Sequence, residues 1–142
     1  MGYYSFNVTS DPSKEYYLEV SSQTPTSVLG TTDTKKIGDY ALKSLTLDGL
    51  SYQVYDLNND NKITVSDKFL LWKKRNSMIS TFGTLPISMI YTSTEYSSIK
   101  AASTNVRSTY SGVSTYKSIK LTSGGTLNLY IISTGFYNSV LF

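Results

Sequence analysis

Residues 56–67 read DLNNDNKITVSD, placing three Asp and three Asn in twelve positions of a 142-residue chain with only ten carboxylates. With Asp56 as position 1, oxygen-bearing side chains fall at Asp56 (1), Asn58 (3), Asp60 (5), Thr64 (9) and Asp67 (12). Lys62 stands at position 7, where only a main-chain carbonyl is needed, so its charge is free to point into solvent. Hard oxygens at these positions are the requirement of a calcium loop. Position 6, where such a chain turns with positive φ, holds Asn61, which tolerates that conformation better than any residue but glycine. Ile63 at position 8 is the apolar residue that pins such a loop to a neighbouring strand. Asp56, Asn58, Asp60, Lys62, Thr64 and Asp67 are therefore the candidate metal ligands, and Ca²⁺ is the expected cofactor. An Asn/Asp-rich turn without a metal would explain the composition. It would not explain donors in register that run straight into a helix.

Other chemistry is sparse. The chain has no His and no Cys, which removes histidine acid–base catalysis, catalytic triads, thiolate nucleophiles and His/Cys zinc sites. The remaining acids, Asp11, Glu15, Glu19, Asp33, Asp39, Asp48 and Glu95, are scattered among turns, caps and exposed positions. Nothing in them favours a glycosidase pair. TSGGT (residues 122–126) lacks the Lys and helix of a phosphate cradle. The expectation is a protein that is not an enzyme. A net charge of +3, with one dense basic cluster at Lys73, Lys74 and Arg75, gives no footprint for nucleic acid. The thirteen Tyr and single Trp72 could form a carbohydrate or peptide platform, but their alternating and helical spacing assigns most of them to a core.

The elements that must hold the loop follow from periodicity. Tyr4, Phe6 and Val8, then Tyr16, Leu18 and Val20, alternate around Asp11-Pro12-Ser13-Lys14 and predict a β-hairpin. TDTKKIGDYALKSL predicts a helix with Thr32 or Asp33 as N-cap and Ile37, Tyr40 and Ala41 on one face. Asp48-Gly49 reads as a helix break before the acidic loop. DKFLLWKKRNSM then predicts a second helix, with Phe69, Leu70 and Trp72 available to the core and its basic residues at the favourable end. Beyond Thr81 come a short strand in LPISMIYT, a helix capped by Ser93 or Thr94, and a hairpin turning at Ser123-Gly124-Gly125. The tail FYNSVLF reads as an edge strand or exit linker. The fold class is α+β, in the order β-β-α-loop-α-β-α-β-β. Three segments result: a hairpin over 1–21, a helix pair with the loop over 22–80, and a β-α-β-β segment over 81–142.

The loop and its helix resemble the calcium loop of dockerin modules, which read D-x-N-x-D-x-x-[IV]-[NT]-x-x-D-[LIVF]-x-x-[LW]. DLNNDNKITVSDKFLLW matches the ligand positions, the apolar position 8 and the following helix. Asp67 stands where a general EF-hand has Glu, and Lys68 departs from the usual apolar residue. Dockerins carry two such units. A shift of 34 residues aligns Asp67 with Asp33, Ser66 with Thr32 and Ile63 with Leu29, and overlays the two helices. The earlier loop, SQTPTSVLGTTD, has Ser22, Thr24 and Thr26 where acids belong, so that copy has lost its metal. The resemblance implies partner recognition near loop positions 10 and 11, here Val65 and Ser66, with Thr31 and Thr32 in the other copy.

The order of elements also resembles a recurring piece of large secreted surface proteins of Bacteroidota. That resemblance implies an exported, cell-surface location and, as partners, neighbouring domains of the same protein or another surface protein. Three functions stand: a calcium-stabilised structural or adhesion module, a docking module recruiting a cohesin-like or other protein, or a small enzyme of unfamiliar type. The first is favoured because the chain is much longer than a bare dockerin. No nucleic-acid partner and no membrane insertion is expected, since no stretch approaches about 18 apolar residues.

Overall fold

The computed structural model describes residues 5, 7–9, 11–21, 31–86, 88–110, 116–122 and 124–141. The order of elements is β1 (Tyr16–Ser21), α1 (Thr31–Ala41), α2 (Gly49–Tyr55), α3 (Val65–Arg75), β2 (Ser88–Thr92), α4 (Ser93–Ala101), β3 (Tyr116–Leu121), β4 (Leu129–Ser133) and β5 (Phe136–Leu141). The fold is mixed α+β. Its two antiparallel sheets are β1-β3 and β2-β4-β5.

The expected N-terminal hairpin is described only in part, since Tyr4 and Phe6 of its first strand lie outside the described residues. Its turn does form, with Lys14 N donating to Asp11 O at 3.0 Å and Ser13 N to Asp11 Oδ1 at 2.9 Å. Residues 7–9 lie in no strand, and β1 pairs with β3, Tyr16 opposite Leu121 and Ser21 opposite Tyr116. Local turn chemistry was readable, but a partner about a hundred residues away was not. The expected hairpin at residues 123–125 is corrected. β3 and β4 belong to different sheets, and Gly125 (φ 145°) carries the chain from one to the other. The closing hairpin is β4–β5, with Ser133 opposite Phe136, so the tail is an edge strand.

A helix stands where a break was expected. Asp48 N-caps α2: its Oδ1 accepts from Ser51 N at 2.7 Å, and Ser51 Oγ faces the Asp48 amide. Gly49 is used for close approach, because a Cβ there would sit 2.3 Å from Ile99 O of α4. α4 is capped by Thr92, the last residue of β2, rather than by Ser93 or Thr94. Thr32 and Asp33 likewise lie inside the first turn of α1 rather than capping it.

α1 and α3 pack as a pair and are antiparallel. Arg75 Nη1 at the end of α3 donates to Thr34 Oγ1 near the start of α1 at 3.2 Å. Both helices have eleven residues, and their bounds differ by 34 at each end. Ile37 and Leu71, related by that shift, are both fully buried. Leu29, the expected neighbour of Ile63, lies outside the described residues. The core joins Ile37, Val54, Tyr55, Leu57, Ile63 and Leu71 to Phe82, Met89, Tyr91, Ile99 and Ile132. Phe69 and Trp72 do not enter it. They stack on each other at 5.6 Å and remain 53% and 43% exposed. Leu71 and Asp67 define the inner face of α3, and helical geometry puts positions 65, 69 and 72 opposite.

Candidate metal centre

The acidic loop is strung between two helix ends. Asp56 is the C-cap of α2, its amide donating to Tyr52 O at 3.1 Å, and Thr64 is the N-cap of α3. Asp67, at the third position of α3, closes a capping box by accepting from Thr64 N at 2.8 Å. Its other oxygen reaches back across the loop to Leu57 N at 2.8 Å and Asn58 N at 3.3 Å. Buried Ile63 and Leu57 anchor the loop to the core from below.

The first half of the loop wraps around Asp56. Asp60 N donates to Asp56 Oδ1 and Asn61 N to Asp56 Oδ2, each at 3.0 Å. Asp60 N also faces Asn58 Oδ1 at 3.2 Å, and Lys62 N donates to Asp60 Oδ1 at 3.0 Å. Asn61 has φ 66°, the left-handed turn expected at position 6, and Asn59 a similar 58°. Asp56 and Asp67 are fully buried, whereas Asn58, Asp60 and Lys62 are exposed. Burial pushes the Asp56 carboxyl up, outweighing the Arg107 charge and the Asn61 and Asp60 amides; the Asp67 charge adds to the rise.

In kind and in order, these donors fit calcium. They are hard oxygens from two buried carboxylates, one exposed carboxylate, an amide, a hydroxyl and a carbonyl, arranged around a left-handed turn. Among the described residues, however, no group of three or more His, Cys, Asp or Glu side chains is placed to hold a metal ion. The oxygens of all three loop carboxylates are instead turned onto amides: Asp56 accepts from Asp60, Asn61 and Asn105, Asp60 from Asn58 and Lys62, and Asp67 from Leu57, Asn58 and Thr64.

Two loop neighbours were invisible to motif reading. Asn105 Nδ2 donates to Asp56 Oδ2 at 2.9 Å, and Arg107 Nη1 to Asn59 Oδ1 at 2.8 Å. The only signal was weak: Arg107 is a lone cation in the neutral stretch STNVRSTYSG, twelve residues from the nearest acid, Glu95. Beside them a cleft of about 350 Å³ is lined by Gln53, Asn59, Asn61, Asn105, Arg107 and Met89, among others.

The expected partner-binding residues are all exposed: Val65 and Ser66 in the first turn of α3, Thr31 and Thr32 in that of α1. Because the helices are antiparallel, the two pairs sit at opposite ends of the helix pair, roughly 16 Å apart for eleven residues. They form two patches, not one. Compared with protein-family models, with curated proteins and with solved structures, the chain gives no match.

Proposed function

We propose that the chain is a calcium-stabilised, non-catalytic structural or adhesion module of an exported multi-domain surface protein. The observation that carries this reading is the loop itself. Oxygen donors at Asp56, Asn58, Asp60, Lys62, Thr64 and Asp67 follow the calcium order around a left-handed Asn61. A bound divalent ion would supply charge neutralisation for the loop's carboxylates, of which Asp56 and Asp67 are buried. The residues' part is to present oxygens and to join α2 to α3. The non-catalytic part of the reading rests on a chain without His or Cys and with its other acids dispersed.

Calorimetric titration, with melting in calcium and in chelator, tests it. Wild type should bind one Ca²⁺, and calcium at about 100-fold excess over Kd should add about 2.7 kcal/mol of stability. Asp60→Asn, at an exposed position, should leave the chelated protein within about 0.5 kcal/mol of wild type while removing most of the calcium increment. Equal calcium binding by both proteins would end the assignment.

A second reading, a docking module for a cohesin-like or other protein partner, has one observation in its favour. Val65, Phe69 and Trp72 form an exposed apolar stripe along α3, Val65 being 71% exposed. Calcium-dependent capture of a defined partner that is lost in Phe69→Ser would favour docking over a purely structural role.

A further inference from the structure

We infer that Arg107 is the positioning residue of the acidic loop, setting its calcium affinity by fixing how the chain leaves α2 and where Asp56 points; this rests on the calcium reading above. α2 has no basic residue in its last turn, and its terminal carbonyls need donors. Gly135 N donates to Val54 O at 2.7 Å, and Arg107, 51 residues beyond Asp56 and only 13% exposed, serves the carbonyls of Tyr52 and Gln53. Its Nη2 donates to Tyr52 O at 2.7 Å and Gln53 O at 3.1 Å, and its Nη1 to Asp56 O at 2.9 Å and Asn59 Oδ1 at 2.8 Å. Asn105 joins the same clamp, accepting from Arg107 N at 2.7 Å while donating to Asp56 Oδ2. One turn of the C-terminal half thus grips both the helix end and the first ligand position.

Two effects of this cation oppose each other. A positive charge 3.8 Å from Asp56 Oδ2 repels an incoming divalent ion. A guanidinium fork that holds the loop's entry in place lowers the ordering needed to bind one. The geometry points to the second as dominant. Arg107 directs its hydrogen bonds to three carbonyls and one amide oxygen and makes none to the carboxylate. Lysine separates the effects, since it keeps the charge and loses the fork.

The experiment is calcium calorimetry on wild type, Arg107→Lys and Arg107→Met, at a temperature where circular dichroism shows each folded. Amide exchange over residues 105–110, with calcium and with chelator, accompanies it. Arg107→Lys should bind calcium roughly tenfold more weakly, the scale seen for groups that orient metal ligands. In wild type, calcium should slow exchange of the Arg107 and Tyr110 amides, and Arg107→Lys should lose most of that protection. Should the Arg107 variants fail to fold, Asn105→Ala carries the same test, with an expected loss of roughly tenfold. An unchanged Kd in Arg107→Lys, or a tighter one in Arg107→Met, overturns the inference while leaving the calcium site standing. If wild type binds no calcium, both fall.

Discussion

At the scale of single residues, the loop was legible because its chemistry is local. Donor order and the left-handed Asn61 lie within twelve positions, where spacing alone fixes neighbours. That Thr64 caps a helix beginning at Val65, two residues before the expected start, was not read there. Arg107 and Asn105 were not legible, because their partners depend on how the chain returns to α2. Gln53 was hidden for the same reason. It is 1% exposed, yet among the described residues neither side-chain Nε2 nor Oε1 finds a hydrogen-bond partner. A buried amide of this kind costs about 1–3 kcal/mol relative to a satisfied one. Methionine has similar length and no such need, and the Gln53 carbonyl that meets Arg107 belongs to the backbone. Gln53→Met should therefore stabilise the protein by about 1 kcal/mol, raising Tm by a few degrees. A loss of stability in the melting curve would mean that the amide is bonded in solution.

At the scale of elements, α1, α3, β2, α4 and the edge strand β5 were readable, and α2 was not. Asp48-Gly49 looks like a turn because Gly lowers helix propensity and Asp favours caps. Asp48 does act as a cap, but for the helix that follows it. The glycine is there for tertiary reasons, which propensity cannot show: Gly49 N donates to Ala102 O at 2.7 Å, and a Cβ would also lie 3.1 Å from Ala102 Cβ. Replacing Gly by Ala inside a helix normally gains about 1 kcal/mol. Here the obstruction is the Ile99 carbonyl, backbone that cannot rotate away as a side-chain tip would. Gly49→Ala should lose about 2 kcal/mol net, by overpacking the α2–α4 contact. Denaturant unfolding measures it, and a neutral or stabilising result would show that α4 moves aside cheaply. The outward stripe on α3 belongs to this scale as well. Apolar spacing predicted burial for Phe69 and Trp72, but Leu71 and Asp67 had already claimed the inner face.

At the scale of the whole molecule, the two sheets have unequal support. β2 is buried through Tyr91, and β4 contributes Leu129 and Ile132 to the interior, with Tyr130 stacked on Tyr96 of α4 at 3.9 Å. β1 has no buried residue, alternating only between partly buried and exposed positions. A two-stranded ladder without a buried face is marginal by itself. It should open locally at a free energy well below global unfolding, whereas β2–β4 should open only with the core. Amide exchange should thus show much lower protection for the Leu18/Ile119 pair than for Met89/Ile132. The exposed Glu15–Lys120 ion pair beside β1 adds a pH dependence. Lys120, and then the Tyr17 hydroxyl, hold the Glu15 carboxyl below its ordinary value of 4.5. A carboxylate with a lowered folded pKa contributes its full stabilisation above the unfolded value and loses it as pH falls through the lowered one. At about pH 3, protection factors in β1–β3 should fall in wild type, while Glu15→Gln should start lower and change little. Those of β2–β4 should hold in both. Equal protection of the two sheets at neutral pH would show that β1–β3 is fastened to the core more firmly than its exposure implies.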